Sequence, residues 1–307
     1  MRLALRFVTL LFLLALLCAS PRAGAQGSDA LMPDESAVKA KQILQQVIDA
    51  LGGQAYLRVR ESQCLGRIAQ FEHSGEVSGY VDFVDLWKYP DRNRTEYQLS
   101  GNQIIPFVLM GDLPIKRGKV VDLFAGDQGW TLDKGGVQDE TAGAVADFQE
   151  QVKTDFDNLL RFRLKEEGLI YRYNGGDLVD LKLVDWIEIV DRDRRTFQIA
   201  VDRESHLPIR MVVIKRNDVT RERTEEVNYF SNYHVIGGVQ TPLQIARDRD
   251  GRRSYQVFFA TCTHDPGIPD EMFTKASLEK RYAEVGKKDK KDKRDKNDKD
   301  EKSDSKY

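Results

Sequence analysis

The spacing of hydrophobic positions changes along the chain, and each change marks an element. Over residues 35–51, Ala40, Ile43, Leu44, Val47, Ile48 and Leu51 recur at three- and four-residue intervals, the stripe of an amphipathic helix. Asp34 is its predicted N-cap, and Gly52-Gly53 supplies the left-handed residue that ends it. From Gln63 the period falls to two. Strands are predicted over 63–72, 76–88, 93–99, 103–110, 119–125 and 129–133, the last two joined by Gly126-Asp127-Gln128-Gly129 as a tight hairpin. Residues 141–165 return to helical spacing through Val145, Phe148, Val152, Phe156, Leu159 and Leu160, with an acidic start and a basic end that suit the helix dipole. Strands then resume over 169–174, 177–190, 195–202, 207–216, 223–235, 239–248 and 253–263. Their turns are marked by Asn174-Gly175-Gly176, 191–194, 203–206, Gly237-Gly238 and Asp250-Gly251. Short turns between successive strands mean an antiparallel meander, and about a dozen strands in one meander curl rather than lie flat. The fold class is α+β, and no shift in composition divides it, so residues 26–285 read as one domain.

Both ends of the chain differ from this body. Arg2 and Arg6 precede an apolar run from Phe7 to Leu17, and Ala23-Gly24-Ala25 follows, which is the pattern of an export signal over residues 1–25 cleaved before Gln26. The run is too short to cross a bilayer core of about 30 Å at about 1.5 Å per residue. Cys18 would be the acylated residue of a lipoprotein, but Leu17 stands where that processing needs a small residue. The expected location is therefore the periplasm, with the signal removed. Residues 286–307 are almost all Lys, Asp and Asn, too polar to offset the entropy of ordering, and read as a disordered tail. Its lysines offer weak peripheral contact with anionic lipid, opposed by the interleaved aspartates. Each end carries +3, so a chain total of −2 leaves −8 on residues 26–286, which argues against nucleic acid as a partner.

Motifs for chemistry are missing. No Gly-rich phosphate loop, His-Glu-x-x-His pair or Gly-x-Ser-x-Gly elbow occurs, and His73, His206, His234 and His264 are scattered. No cofactor or metal is expected, and binding is favoured over catalysis. Cys64 and Cys262, the cysteines left after cleavage, allow either one disulfide between the first and last predicted strands or two buried thiols.

A set of short motifs runs in a characteristic order. Ala50-Leu51-Gly52-Gly53 ends the first helix, and Leu86-Trp87-Lys88-Tyr89-Pro90 follows. Next come Gly126-Asp127-Gln128-Gly129-Trp130 and Leu207-Pro208-Ile209-Arg210. Tyr233, Gly237-Gly238-Val239, Thr241-Pro242 and Ile268-Pro269-Asp270-Glu271-Met272-Phe273 complete the set. Over residues 36–275 this order resembles the LolA/LolB-like superfamily of periplasmic lipoprotein carriers and outer-membrane lipoprotein-sorting relatives. The resemblance implies a strongly curved, incomplete antiparallel β-barrel with helices across its concave face. It also implies a monomer whose apolar cavity takes lipid or lipoprotein acyl chains without covalent chemistry. LolA-type chains can carry a gating arginine just before the proline of the Leu-Trp motif. Here that residue is Tyr89. The alternatives are an envelope sensor or interaction module of RseB-like type, with an envelope protein as partner, and an envelope hydrolase.

The residues point to a place for such a cavity. Along 79–89 the odd positions Val81, Phe83, Trp87 and Tyr89 are apolar or aromatic, and so are the even positions Tyr80, Val84 and Leu86. A strand hydrophobic on both faces is covered on both or meets a ligand. The run Ile104–Met110 adds Ile105, Phe107 and Leu109. These residues, with Trp130, are the candidate lining. The alternative is a filled core.

Overall fold

The computed structural model describes residues 31–71, 76–98, 119–133, 135–216 and 222–284. Ile105, Phe107 and Leu109, the strand expected over 103–110, the export signal and the tail lie outside them. The elements are α1 Pro33–Leu51, α2 Gln54–Arg58, β1 Glu61–Phe71, β2 Val77–Lys88, β3 Arg92–Gln98, β4 Lys119–Ala125, β5 Gln128–Asp133 and β6 Gly136–Asp139. α3 Ala142–Thr154 and α4 Phe156–Arg161 lead into β7 Ile170–Val179, β8 Lys182–Val190, β9 Thr196–Asp202 and β10 Pro208–Arg216. β11 Arg223–Ile236, β12 Val239–Arg249 and β13 Arg252–His264 complete the sheet, and a 3₁₀ turn Asp270–Phe273 precedes α5 at 275–284.

Among the described residues, 13 strands form one sheet in the order β6-β5-β4-β3-β2-β1-β13-β12-β11-β10-β9-β8-β7. Every neighbouring pair is antiparallel. Two meanders thus meet at β1–β13, and β6 and β7 are left as free edges. The segment carrying α3 and α4 runs from one free edge to the other, so the connection itself spans the opening of an incomplete, curled barrel. Cys64 lies directly opposite Cys262 in the β1–β13 ladder, with Cα atoms 4.1 Å apart and the two sulfurs bonded.

The helices fill the half of the inner face made by β8–β12. Ala40, Ile43, Leu44, Val47 and Leu51 of α1 pack with Tyr56 and Val59, with Phe156, Leu159 and Leu160 of α4, and with Ile187, Ile189, Phe197, Ile199, Met211 and Val213 from the strands. Each such side chain removed from water contributes roughly 1.5–3 kcal/mol. α1 ends where predicted, at Gly52 (φ 124°), and a Cβ there would sit 2.4 Å from the Gly238 carbonyl oxygen. Glycine is what lets the helix end against the β11–β12 turn.

The structure corrects several expectations. The N-cap of α1 is Met32, not Asp34, because Pro33 occupies the first turn and Glu35 accepts from the Met32 N–H at 3.3 Å. The helix expected over 141–165 breaks at Asp155, whose backbone is extended and whose Oδ1 accepts from the Asn158 N–H at 2.8 Å, capping α4. Asn174-Gly175-Gly176 is a bulge within β7, and the chain reverses instead at Asp180 and Leu181 (φ 49° and 63°), the two positive φ values a two-residue hairpin demands. α5 escaped the periodicity. It covers the outer face of β2–β5, where Leu278, Phe273 and Ile268 bury Leu86, Val121, Leu123 and Leu132.

Candidate functional site

The inner face of β13, β1, β2 and β3 is built differently from the half under α1. Register places Val257, Ile68 and Val81 side by side, and Phe259, Gly66, Phe83 and Tyr97 beside them. They form one apolar cluster, joined by Tyr255, and all its described members come from strands. The Phe83 and Phe259 rings are 5.8 Å apart. Gly66, in register between them at a bulge, has no room for a Cβ, which would fall 2.3 Å from the Phe258 carbonyl oxygen.

Further along the same face, Trp87 stacks on Tyr89 at 5.8 Å and on Phe148 of α3 at 6.1 Å, and Phe148 stacks on Phe124 at 4.6 Å. α3 and α4 are thereby seated on the sheet. Two polar clamps hold them there. Arg195 donates to both oxygens of Glu150 at 2.8 and 2.9 Å, and Asn158 Nδ2 donates to the Pro90 carbonyl at 2.9 Å. Beneath α4, Arg161 lies buried between the Tyr56 and Tyr89 rings, 4.4 and 4.7 Å from their centres. Its Nη2 is 3.3 Å from Asp157, which also accepts from the Tyr56 and Tyr89 hydroxyls at 2.7 and 3.2 Å. Tyr89 thus meets an arginine supplied by α4.

Carboxyls border the aromatic patch, and burial weakens their acidity. Asp85 accepts from Asn93 Nδ2 (2.8 Å), Thr95 Oγ1 (2.9 Å) and Trp87 Nε1 (2.9 Å), yet burial still holds its pKa above the usual carboxylate range. Burial, and then Asp157, push Asp155 up to about 6. Asp122, reached by Thr131 Oγ1 at 3.0 Å, is pushed to about 7 by burial and by Glu140. In each case burial is the first cause, since it disfavours the charged form. The engaged acceptors describe structural carboxyls rather than a poised acid–base pair, and among the described residues no group of His, Cys, Asp or Glu could hold a metal.

Asp122 has a consequence for stability. Unfolded, the group titrates near pH 3.9, so between about pH 4 and 7 the folded state binds more protons than the unfolded one. Stability therefore falls as pH rises through that window, and the full cost stands above it. Asp122→Asn is expected to raise the unfolding free energy by about 2–4 kcal/mol at pH 8 and by little at pH 4, read from urea unfolding at both. A variant no more stable than its parent at pH 8 would show that the carboxylate is not desolvated.

Of the residues singled out from sequence, Val81, Phe83 and Trp87 share the inner face, and Tyr89 caps its end. Trp130 does not belong with them. It pairs with Leu123 and Asp139 and packs on the outer face with the residues beneath α5, because the inner position of that hairpin is Gly129, opposite Phe124. Phe124, Tyr97, Tyr255 and Phe259 were missed. The run Val121-Asp122-Leu123-Phe124 sets Val121 and Leu123 on one face and Asp122 and Phe124 on the other, and the aromatic on that second face could have pointed to Phe124. The described residues also form an open groove of about 390 Å³ between α1 and the start of β7, lined by Lys41, Gln45 and Glu166 among others, away from the aromatic patch.

No protein-family model matches the chain, and no curated protein matches its sequence. Solved structures do. A DUF1329 family protein from Desulfovibrio piger superposes with a TM-score of 0.53 at 13% identity, over 78% of this chain and 98% of that one. An outer membrane lipoprotein-sorting protein domain from Vibrio parahaemolyticus gives 0.48 at 12% identity, over 79% and 99%. A LolA superfamily protein from Nitrosomonas europaea gives 0.47 at 14%, over 78% and 99%. The first of these overlaps establishes a shared fold.

Proposed function

We propose that this chain is an exported, non-enzymatic binding protein that holds lipid or lipoprotein acyl chains on the inner face of β13, β1, β2 and β3. The observation that carries the reading is the patch of Ile68, Val81, Phe83, Tyr97, Val257 and Phe259. It is a buried aromatic and aliphatic cluster made by strands, beside the carboxyls of Asp85, Asp122 and Asp155, whose pKa values burial raises. Acyl methylenes buried there would contribute about 0.8 kcal/mol each. The resemblance of the motifs to LolA-like carriers supports the same reading, and so does the signal pattern of residues 1–25. No helix of the described residues is long and apolar enough to cross a membrane.

Phe83→Asp is expected to reduce lipid binding at least tenfold, because it sets a charge against methylenes. Tyr80→Asp, on the same strand but facing outward at 47% exposure, should leave binding unchanged. Since Phe83 is buried, circular dichroism must show the variant folded, and a photoactivatable fatty acid supplies a test on the parent protein. Label in peptides spanning Val81–Phe83 and Tyr255–Phe259 supports the reading. Label confined to the groove beside α1, or no label, overturns it. The exposed Leu178, Leu181 and Leu183 at the free β7 edge favour a second reading, an interaction module for an envelope protein. A protein partner co-purifying without lipid would support that one.

A further inference from the structure

The inner face continues past the apolar patch onto β12 and β11, where one arginine differs from the rest. Arg247 stands opposite Asn228 on one side and Tyr255 on the other. It lies two residues along from Ile245, and so shares the face that Ile245 and Val257 present. Its guanidinium sits 4.8 Å over the Tyr255 ring, and its Nε donates to Asn228 Oδ1 at 2.8 Å. Asn228 is itself buried. Stack and hydrogen bond together fix the plane of the guanidinium while leaving its two terminal nitrogens without a hydrogen bond among the described residues.

The neighbouring cations are spent. Arg249 and Lys215 both bind Glu226, at 2.8 and 3.1 Å, and Arg253 binds Asp248, which also accepts from Tyr229. The two carboxyls whose ionisation responds to Arg247 are committed as well, Glu226 to that pair of cations and Asp155 to the cap of α4. Arg247 makes no ion pair among the described residues. A fixed, half-buried guanidinium with a free terminal fork is a receptor for a carboxylate or phosphate, which it can take in two parallel hydrogen bonds.

Register supplies the other half of the site. Ile245, Val257, Ile68 and Val81 follow one another across β12, β13, β1 and β2. Three strand spacings make that apolar row about 14 Å long. It begins one pair along from Arg247 and ends at the patch assigned above to acyl chains. We infer that Arg247 binds the acidic head, carboxylate or phosphate, of a long-chain amphiphile whose chain lies along Ile245, Val257, Ile68 and Val81. This rests on the acyl-chain reading and adds to it the class of ligand: anionic rather than neutral or zwitterionic.

Calorimetric titration of the full protein with oleate, oleoyl lysophosphatidic acid, oleoyl lysophosphatidylcholine and monooleoylglycerol, each below its micellar concentration, tests it. The two anionic amphiphiles should bind about tenfold or more tightly than the other two, in keeping with a charge-assisted hydrogen-bonded pair. Arg247→Gln should erase that preference and leave monooleoylglycerol affinity unchanged. Arg247→Lys should keep part of it, and Arg192→Gln, a mostly exposed arginine in the β8–β9 turn, all of it. Comparison of oleate with the lysophosphatidic acid tells carboxylate from phosphate. A preference that survives in folded Arg247→Gln, or a variant that loses the glycerol ester in equal proportion, overturns the head-group assignment. Equal binding of all four by the parent also overturns it but leaves the acyl-chain reading standing, whereas binding of none overturns both.

Discussion

Loss of the Cys64–Cys262 bond is expected to lower the unfolding free energy by up to about 5 kcal/mol. The two cysteines are 198 residues apart in sequence, so the bond closes a loop that contains nearly every strand. In the chain-entropy account, a cross-link of that span restricts the unfolded ensemble by about 5 kcal/mol at 25 °C. The native state gives little of this back, because the residues already face each other in the ladder that joins the two meanders. Guanidinium unfolding of the protein lacking residues 1–25, with and without reductant and beside Cys64→Ala/Cys262→Ala, measures the loss. Reductant should shift the parent's midpoint to that of the double variant and leave the variant where it is. Thiols that alkylate in denatured, unreduced parent protein would show that the bond is absent.

Asp157→Asn is expected to cost about 3 kcal/mol. Arg161 is enclosed by the Tyr56 and Tyr89 rings, its Nε and Nη1 find no partner among the described residues, and Asp157 is its counter-charge. Neutralising that carboxylate leaves a buried guanidinium with aromatic faces alone, the circumstance in which breaking an ion pair costs most. The same carboxylate keeps the Tyr56 hydroxyl un-ionised, after the larger effect of burial. Arg161→Met in the Asp157→Asn background should recover much of the loss, since the uncompensated charge is then gone. A double-mutant cycle by urea unfolding reads both effects. A single variant within 1 kcal/mol of the parent would mean that water reaches Arg161.

The patterning of the chain carries most of the architecture and part of the site. Strands β1–β5 and β9–β13 fall within two residues of the positions expected from alternation and turn residues, and α1 from its stripe, whereas the expected boundary between β7 and β8 lay at 174–177 and the chain reverses at 180–181. Those signals are local, since a period and a glycine are read over a few residues. Val81, Phe83 and Trp87 were legible as one face of one strand for the same reason. What failed was set by single side chains or by contact. Asp155 breaks a helix whose periodicity runs through it, because its carboxyl caps the next turn. α5 carries too narrow a stripe to be seen, yet Leu278 is wholly buried once the outer face of β2–β5 is there to receive it.

The placement of Trp130 shows where the boundary lies. Its strand was evident from sequence, but which of two alternating faces looks inward depends on the register with β4, and that register turns Gly129 and Phe124 inward. The same dependence hides the site's polar half. Asp85 and Asp122 come from β2 and β4, and Arg247 and Asn228 from β12 and β11. No spacing in the sequence relates them. By itself the sequence determined most of the elements, their antiparallel order and the hydrophobic excess of β2, because these follow from short-range periodicity and turn chemistry. Only the tertiary structure decided which side chains share the concave interior and which carboxyls are held above their usual pKa there, because both depend on register between strands distant in sequence and on burial by packed neighbours.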